Sequence, residues 1–162
     1  MTHILGIDPG LSGGYALLDE TGKLIACGNF PTITEKGKTK LDGGVLAVMF
    51  DFNDHVKAYV ESVSSRPRQQ GQFQFGVNTG IVHGILYAQC IPFQLVSPAS
   101  WKAQFGIKRQ DDETKRDKKN EARAIASKLY PAHAQRFARV KDDGVAEAVL
   151  IALYGLYLHS QT

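Results

Sequence analysis

Short apolar runs, each closed by a polar residue or a turn, dominate the first third of the chain. His3–Asp8 is apolar up to its closing acid, and Pro9, Gly10, Gly13 and Gly14 follow it. Proline cannot donate to a ladder, so a strand over His3–Asp8 must stop there. The glycines let the backbone turn sharply and let a bulky group approach. Tyr15–Asp19 reads as a second strand. Glu20-Thr21-Gly22-Lys23 is a turn sequence, so Leu24–Phe30 is expected as a third strand in an antiparallel meander. Pro31–Lys40 is polar, with Lys36, Lys38 and Lys40 at alternate positions, and reads as a loop.

Beyond the meander the period lengthens. Leu41–Val56 reads as helix, and Lys57–Glu61 as a short fourth strand ending in a second acid. Ser62–Gly71 is a polar loop. Phe73–Gln89 repeats apolar residues at helical spacing (Phe73, Val77, Ile81, Ile85). Its glycines, Gly76, Gly80 and Gly84, recur every four residues and suggest a smooth face packed on a sheet or another helix. Pro92–Val96 is a fifth strand. Ser97 suits a helix N-cap and Pro98 a first helical position. Lys108–Thr114 is charged without an apolar anchor and is expected to be mobile. Lys115–Tyr130 is a basic helix with Ala122, Ile125, Ala126 and Leu129 inward, ended by Pro131. Asp143–Leu158 is the last helix.

Three antiparallel strands, then helices alternating with two more strands, make an α/β fold with a mixed sheet of five strands. The chain of 162 residues suits one domain, 1–162, and shows no repeat or linker. No apolar run reaches the roughly 18 residues of a membrane span, so no membrane role is expected. A leader with a basic start and an apolar stretch is not evident, so secretion is not expected either. Cys27 and Cys90 both lie in apolar surroundings and read as buried reduced thiols. A reducing, cytoplasmic setting (or a nucleoid, an organelle or a phage-infected cell) follows.

Net charge is only +3, yet 12 of the 19 Lys and Arg residues fall between Lys102 and Lys141. That asymmetry points to an anionic partner. Lys115, Arg116, Lys118, Lys119 and Arg123 crowd one helix, and Arg136, Arg139 and Lys141 precede the next. These are natural phosphate contacts with salt-sensitive binding. Arg66, Arg68, Gln69, Gln70, Phe73 and Phe75 follow Glu61 closely. Arg and Gln can reach base edges, and Phe can stack on unpaired bases. Phe73 and Phe75 suit core packing equally well, and Trp101 reads as core. The five histidines lack ligand spacing.

The acids carry the chemistry. Asp8 is the only ionised side chain between Ile4 and Leu18, and Glu147 the only charged one between Val145 and Leu158. A carboxylate among apolar neighbours needs a partner or a metal. Asp8 and Glu61 end strands that would lie side by side. Asp143 and Glu147, four apart, share one helix face. Simpler roles exist for each: a turn aspartate, a partner for Arg66 or Arg68, a helix cap, a group favoured by the helix dipole. Together they suggest a site of hard oxygen donors suited to Mg²⁺ or Mn²⁺. Four carboxylates can hold two divalent ions, which clamp the attacking and leaving oxygens of a phosphodiester hydrolysis.

Leu5-Gly-Ile-Asp8-Pro-Gly10, Tyr59-Val-Glu61 and Asp142-Asp-Gly-Val-Ala-Glu147-Ala-Val-Leu-Ile-Ala152 resemble the motifs of the RuvC family of Holliday-junction resolvases. Ser97-Pro-x-x-Trp-Lys102 and the closing helix pattern are most similar to the chloroplast-type and phage-type members. The first motif alone also resembles actin-like phosphate loops, but those enzymes need a second lobe to close over ATP. The resemblance runs from Ile4 to about Gly155. It implies an RNase H-like fold, a homodimer, and a crossover junction endodeoxyribonuclease that nicks four-way DNA junctions in pairs with Mg²⁺.

By position, Asp8, Glu61, Asp143 and Glu147 take the family's metal-ligand places. Lys119 takes that of a lysine assisting the attacked phosphate or water, with Lys118 as the alternative. One departure stands out. The last two acids are usually three apart in bacterial RuvC, and here residue 144 is Gly, so the third ligand is Asp143 or Asp142. A non-cleaving junction-binding module, and a flap or RNA–DNA hybrid nuclease of the same fold, are the competing readings.

Overall fold

The computed structural model describes residues 2–52, 55–62, 71–107 and 115–161, with side chains of 115–119 excepted. Three strands form the expected meander: β1 (Thr2–Asp8), β2 (Gly14–Leu18) and β3 (Leu24–Asn29). The fourth sheet strand, here β6 (His55–Glu61), pairs parallel with β1, and β7 (Phe93–Val96) pairs parallel with β6. The sheet order β3-β2-β1-β6-β7 is thus mixed, with β1 at its centre.

Two stretches differ from expectation. Pro31–Lys40 is a two-stranded hairpin, β4 (Thr32–Glu35) and β5 (Lys38–Leu41), rather than a loop. Its turn takes positive φ at Lys36 and Gly37, a twist that suits a tight hairpin. The Lys-Gly pair was the overlooked signal. The helix expected over Leu41–Val56 is short, α1 (Gly43–Met49), capped by the Asp42 carboxylate on the Val45 N–H at 3.0 Å. Val56 belongs to β6 instead.

The other helices fall where periodicity puts them: α2 (Gln72–Ala88), α3 (Pro98–Gln104), α4 (Lys115–Leu129) and α5 (Asp143–His159). Ser97 caps α3 through the Ser100 N–H at 3.1 Å, and Pro98 opens it. Two 3₁₀ segments, Pro131–Phe137 and Val140–Asp142, link α4 to α5. No helix among the described residues is long and apolar enough to cross a membrane.

Helices cover both faces of the sheet. Ile4, Ala16 and Leu18 pack against α5, with α3 and α4 around it. Leu5, Ile7 and Leu17 pack toward α1 and α2. Helix α5 is buried through its first turns, as an apolar surface nearly all round requires. It presses so closely on β1 that a Cβ at Gly6 would stand 2.2 Å from the Ala148 carbonyl oxygen and 2.4 Å from the Ala152 nitrogen.

Other departures are local. Cys90 is exposed, at φ +53° just past the end of α2, while Cys27 is partly buried. The Ile91 N–H closes that helix end on the Leu86 carbonyl at 2.9 Å. Leu129 is exposed, although Ala122 and Ala126 are buried as expected. Gly76, Gly80 and Gly84 pack on nothing: a Cβ at each would meet no described atom within 4 Å. The mobility expected of Lys108–Thr114 concerns residues outside the described ones.

Candidate functional site

The site grows from the carboxyl ends of the two central strands. Ile7 lies opposite Val60 in the parallel ladder, so the next residues, Asp8 and Glu61, end neighbouring strands at one edge. Gly14 lies opposite Asp8 on the other side, and Asn29 opposite Gly14. The glycine turn after Asp8 meets the start of α5: Gly13 and Gly144 form a bridge, and a Cβ at Gly144 would stand 2.3 Å from the Ser12 carbonyl oxygen. This contact brings the first turns of α5, with Asp143 and Glu147, to the edge that carries Asp8 and Glu61. Gly10, which the Asp8 carboxylate and the Phe75 ring both approach, leaves room there: its Cβ position is 3.9 Å from Asp8 Oδ1 and 3.8 Å from Phe75 Cε2.

The carboxylates are engaged within the chain. Trp101, fully buried on α3, donates its indole N–H to Glu61 Oε2 at 2.7 Å. Its neighbour Lys102 places Nζ 3.6 Å from Glu147 Oε1 and 4.9 Å from the centre of the Trp101 ring. Trp101 and Lys102 therefore link the end of β6 to α5. Arg123 Nε stands 2.8 Å from Asp143 Oδ1, with the N–H misaligned for a hydrogen bond, so the contact is an ion pair. The same guanidinium donates to the Ala138 carbonyl at 3.0 Å and to the Asn120 side chain. Both Asp143 and Glu147 are buried, and each has the cation that a buried carboxylate demands. Among the described residues no three His, Cys, Asp or Glu side chains are gathered into a group able to hold a metal ion as they stand.

Asp142 is occupied differently. Its carboxylate accepts from Arg139 Nε and Nη2, both at 2.9 Å, and from the Arg139 backbone N–H at 3.1 Å. Those hydrogen bonds, the side-chain ones first, hold its carboxyl below the usual carboxylate range against the opposing effect of burial. Asp142 precedes α5 without capping it through its side chain, and Asp143 lies in the first turn.

The expected nucleic-acid contacts divide three ways. Phe73 is 86% exposed, Phe75 is half-buried beside Gly10, and Lys141 is exposed. Arg123 is turned inward on Asp143 rather than standing free in solvent as its place in a basic run suggested. Arg66, Arg68 and Gln70 lie outside the described residues, as do the side chains of Lys115, Arg116, Lys118 and Lys119. Trp101 and Lys102 were legible only as a core aromatic and a motif lysine. Nothing local in a sequence says that an indole N–H will meet a carboxylate forty residues away.

The comparisons with known proteins bear on this arrangement. The chain superposes on Thermus thermophilus RuvC with a TM-score of 0.65 at 18% identity, covering 99% of this chain and 97% of that one. The fold is that of RuvC. A second structure, T. thermophilus RuvC in complex with Holliday junction substrate, gives a TM-score of 0.63 at 16% identity, over 98% of this chain and 96% of that one. No family model matches the sequence, and no curated protein matches it. With the mixed sheet between helices, the RuvC likeness gives the RNase H-like fold expected.

Proposed function

We propose that the chain is a structure-selective endonuclease that resolves four-way DNA junctions by divalent-metal-dependent hydrolysis, acting as a homodimer. What supports this reading is that the ends of β1 and β6, which carry Asp8 and Glu61, and the first turns of α5, which carry Asp143 and Glu147, lie at one edge of a RuvC-like fold. An all-oxygen, carboxylate-only donor set suits Mg²⁺, with Mn²⁺ as substitute. The four acids would hold two such ions. Bound there, the ions would activate a water and stabilise the departing 3′ oxygen. Asp143 is assigned the third place rather than Asp142, because it lies in the first turn of α5 on the same helix face as Glu147, whereas Asp142 precedes the helix and is held by Arg139 from two sides.

The chain's own groups do the rest. Trp101 orients Glu61 through its indole hydrogen bond. Lys102 and Arg123 balance the charge of Glu147 and Asp143, and both lie at the edge to which a scissile phosphate must come. Lys119 is assigned to the attacked phosphate or water. Exposed Phe73 suits stacking on an unpaired base at the junction centre, and Lys141, with Lys115, Arg116 and Lys118, suits the duplex arms. A second copy is supported by α2, which leaves Val77 and Tyr87 exposed along the stripe of Gly76, Gly80 and Gly84.

A labelled synthetic four-way junction with Mg²⁺ tests this reading. Symmetric nicks giving ligatable duplexes are expected, with no comparable cutting of a flap or an RNA–DNA hybrid. Asp8→Asn should abolish cutting and keep junction binding; loss of binding in equal measure would refute the metal-ligand role. The ion pairs of Lys102 and Arg123 favour one second reading, a junction-binding module that does not cut. Binding without cleavage across a range of Mg²⁺ and Mn²⁺ would select it.

A further inference from the structure

The hairpin β4–β5 leaves the sheet beside the acids. Asn29, the last residue of β3, aligns with Gly14, which aligns with Asp8. The Phe30 N–H then reaches the Gly13 carbonyl at 3.3 Å, and the Asp42 N–H closes the hairpin base on the Pro31 carbonyl at 2.9 Å. From that base the two strands extend with every residue exposed except Leu41. They form a separate two-stranded sheet. Phe30 and Leu41, buried in the core, anchor the arm at its base.

Its register sorts its side chains. Ile33 faces Lys40 and Glu35 faces Lys38, so these four share one face. Thr34 and Thr39 share the opposite face with Leu41, and their hydroxyls stand 3.2 Å apart. The charged face carries Lys38 and Lys40, and Lys36 stands at the turn. Glu35 pairs with Lys40. Three lysines against one glutamate leave the arm at +2, and Lys36 and Lys38 have no ion-pair partner among the described residues. A row of ammonium groups on an extended ribbon matches the spacing-tolerant, sequence-blind demand of a phosphate backbone.

We propose that this hairpin is a nucleic-acid arm: Lys36 and Lys38, with Lys40 in support, grip the phosphates of a DNA duplex that leads to the acid-bearing edge. The proposal rests on the nuclease reading for the identity of the DNA but not for the contact itself. The arm positions DNA; it does not take part in hydrolysis. Lysines on an exposed edge can also serve merely to discourage strand addition from another chain, and the two roles differ in measurable ways.

The test is K36Q/K38Q, with T34S as a control on the opposite face. Affinity for a four-way junction and for a linear duplex of the same sequence is measured against NaCl concentration in EDTA, alongside the melting temperature. The slope of log K against log salt should fall by about 2 for the double variant, roughly 0.9 for each phosphate no longer neutralised. Affinity at low salt should drop at least tenfold while the melting temperature and the control are unchanged. An unchanged slope, or unchanged affinity with new aggregation, overturns the arm and makes the lysines edge guards. Wild-type protein that binds the duplex through these lysines but has no preference for the junction supports the arm and counts against the resolvase reading. Wild-type protein that binds neither substrate overturns both.

Discussion

The indole N–H of Trp101 is hydrogen-bonded to Glu61 Oε2 at 2.7 Å, inside a core where Trp101 has no exposed surface. A carboxylate at a sheet edge is thereby fixed by a residue of the helical layer. Hydrogen bonds to charged groups are worth about 1.5–3 kcal/mol. Trp101→Phe, which keeps an aromatic ring and removes the donor, should cost that much in urea unfolding. If the proposed nuclease reading holds, junction cleavage should fall further than stability alone explains, because Glu61 loses its orientation. Cleavage at the wild-type rate in a folded Trp101→Phe protein would remove Trp101 from the site.

The closeness of β1 to α5 makes Gly6 the least replaceable residue of the central strand. A methyl group there would meet helix backbone rather than a yielding side chain. Gly6→Ala should therefore cost more than the ~1–3 kcal/mol of an ordinary overpacked core. Chemical denaturation reads this directly, and a variant as stable as wild type would show that α5 can move off the sheet.

Cys90 offers the opposite case. Its φ of +53° lies in the left-handed region, where a side chain is strained and glycine is at ease. Cys90→Gly should hold or raise stability, by up to about 1 kcal/mol. Cys90→Val, branched at Cβ, should lower it. Thermal melts of the pair give the sign, and a stabilising valine would mean that the helix end is closed in another way.

Arg139 and Asp142 set an acid dependence. Asp142 titrates below its ordinary range because Arg139 holds its charged form. A group with a lowered folded-state pKa stabilises the fold above its unfolded value, about 3.9, and loses that contribution as pH falls through the folded value. Arg139→Gln should lower the melting temperature at pH 7. The gap from wild type should close as pH drops below about 4. A gap that stays constant down to pH 2 would assign the effect of Arg139 to packing instead.

Much of the scaffold was legible because its signals are local. Pro9 ends β1, Ser97 and Pro98 open α3, and the apolar surface of α5 announces a buried helix. Asp8 and Glu147 stood out by being charged where their neighbours are not. The hairpin was missed because alternate lysines and threonines look like a solvated loop until the turn at Lys36-Gly37 gives them register. The inward turn of Arg123 was missed for a different reason. A basic helix read alone has no way to show that one of its cations will be claimed by Asp143. Cys90 was misplaced because an apolar flank does not reveal a helix terminus.

The bridge between Gly13 and Gly144 joins segments 131 residues apart in the chain. During synthesis the acids of the sheet emerge long before those of the last helix. A nascent chain that has yet to deliver residue 144 holds the strand half of the site and nothing to close it. On the proposed reading the site would be complete only once Glu147 has been synthesised and α5 has closed on the sheet.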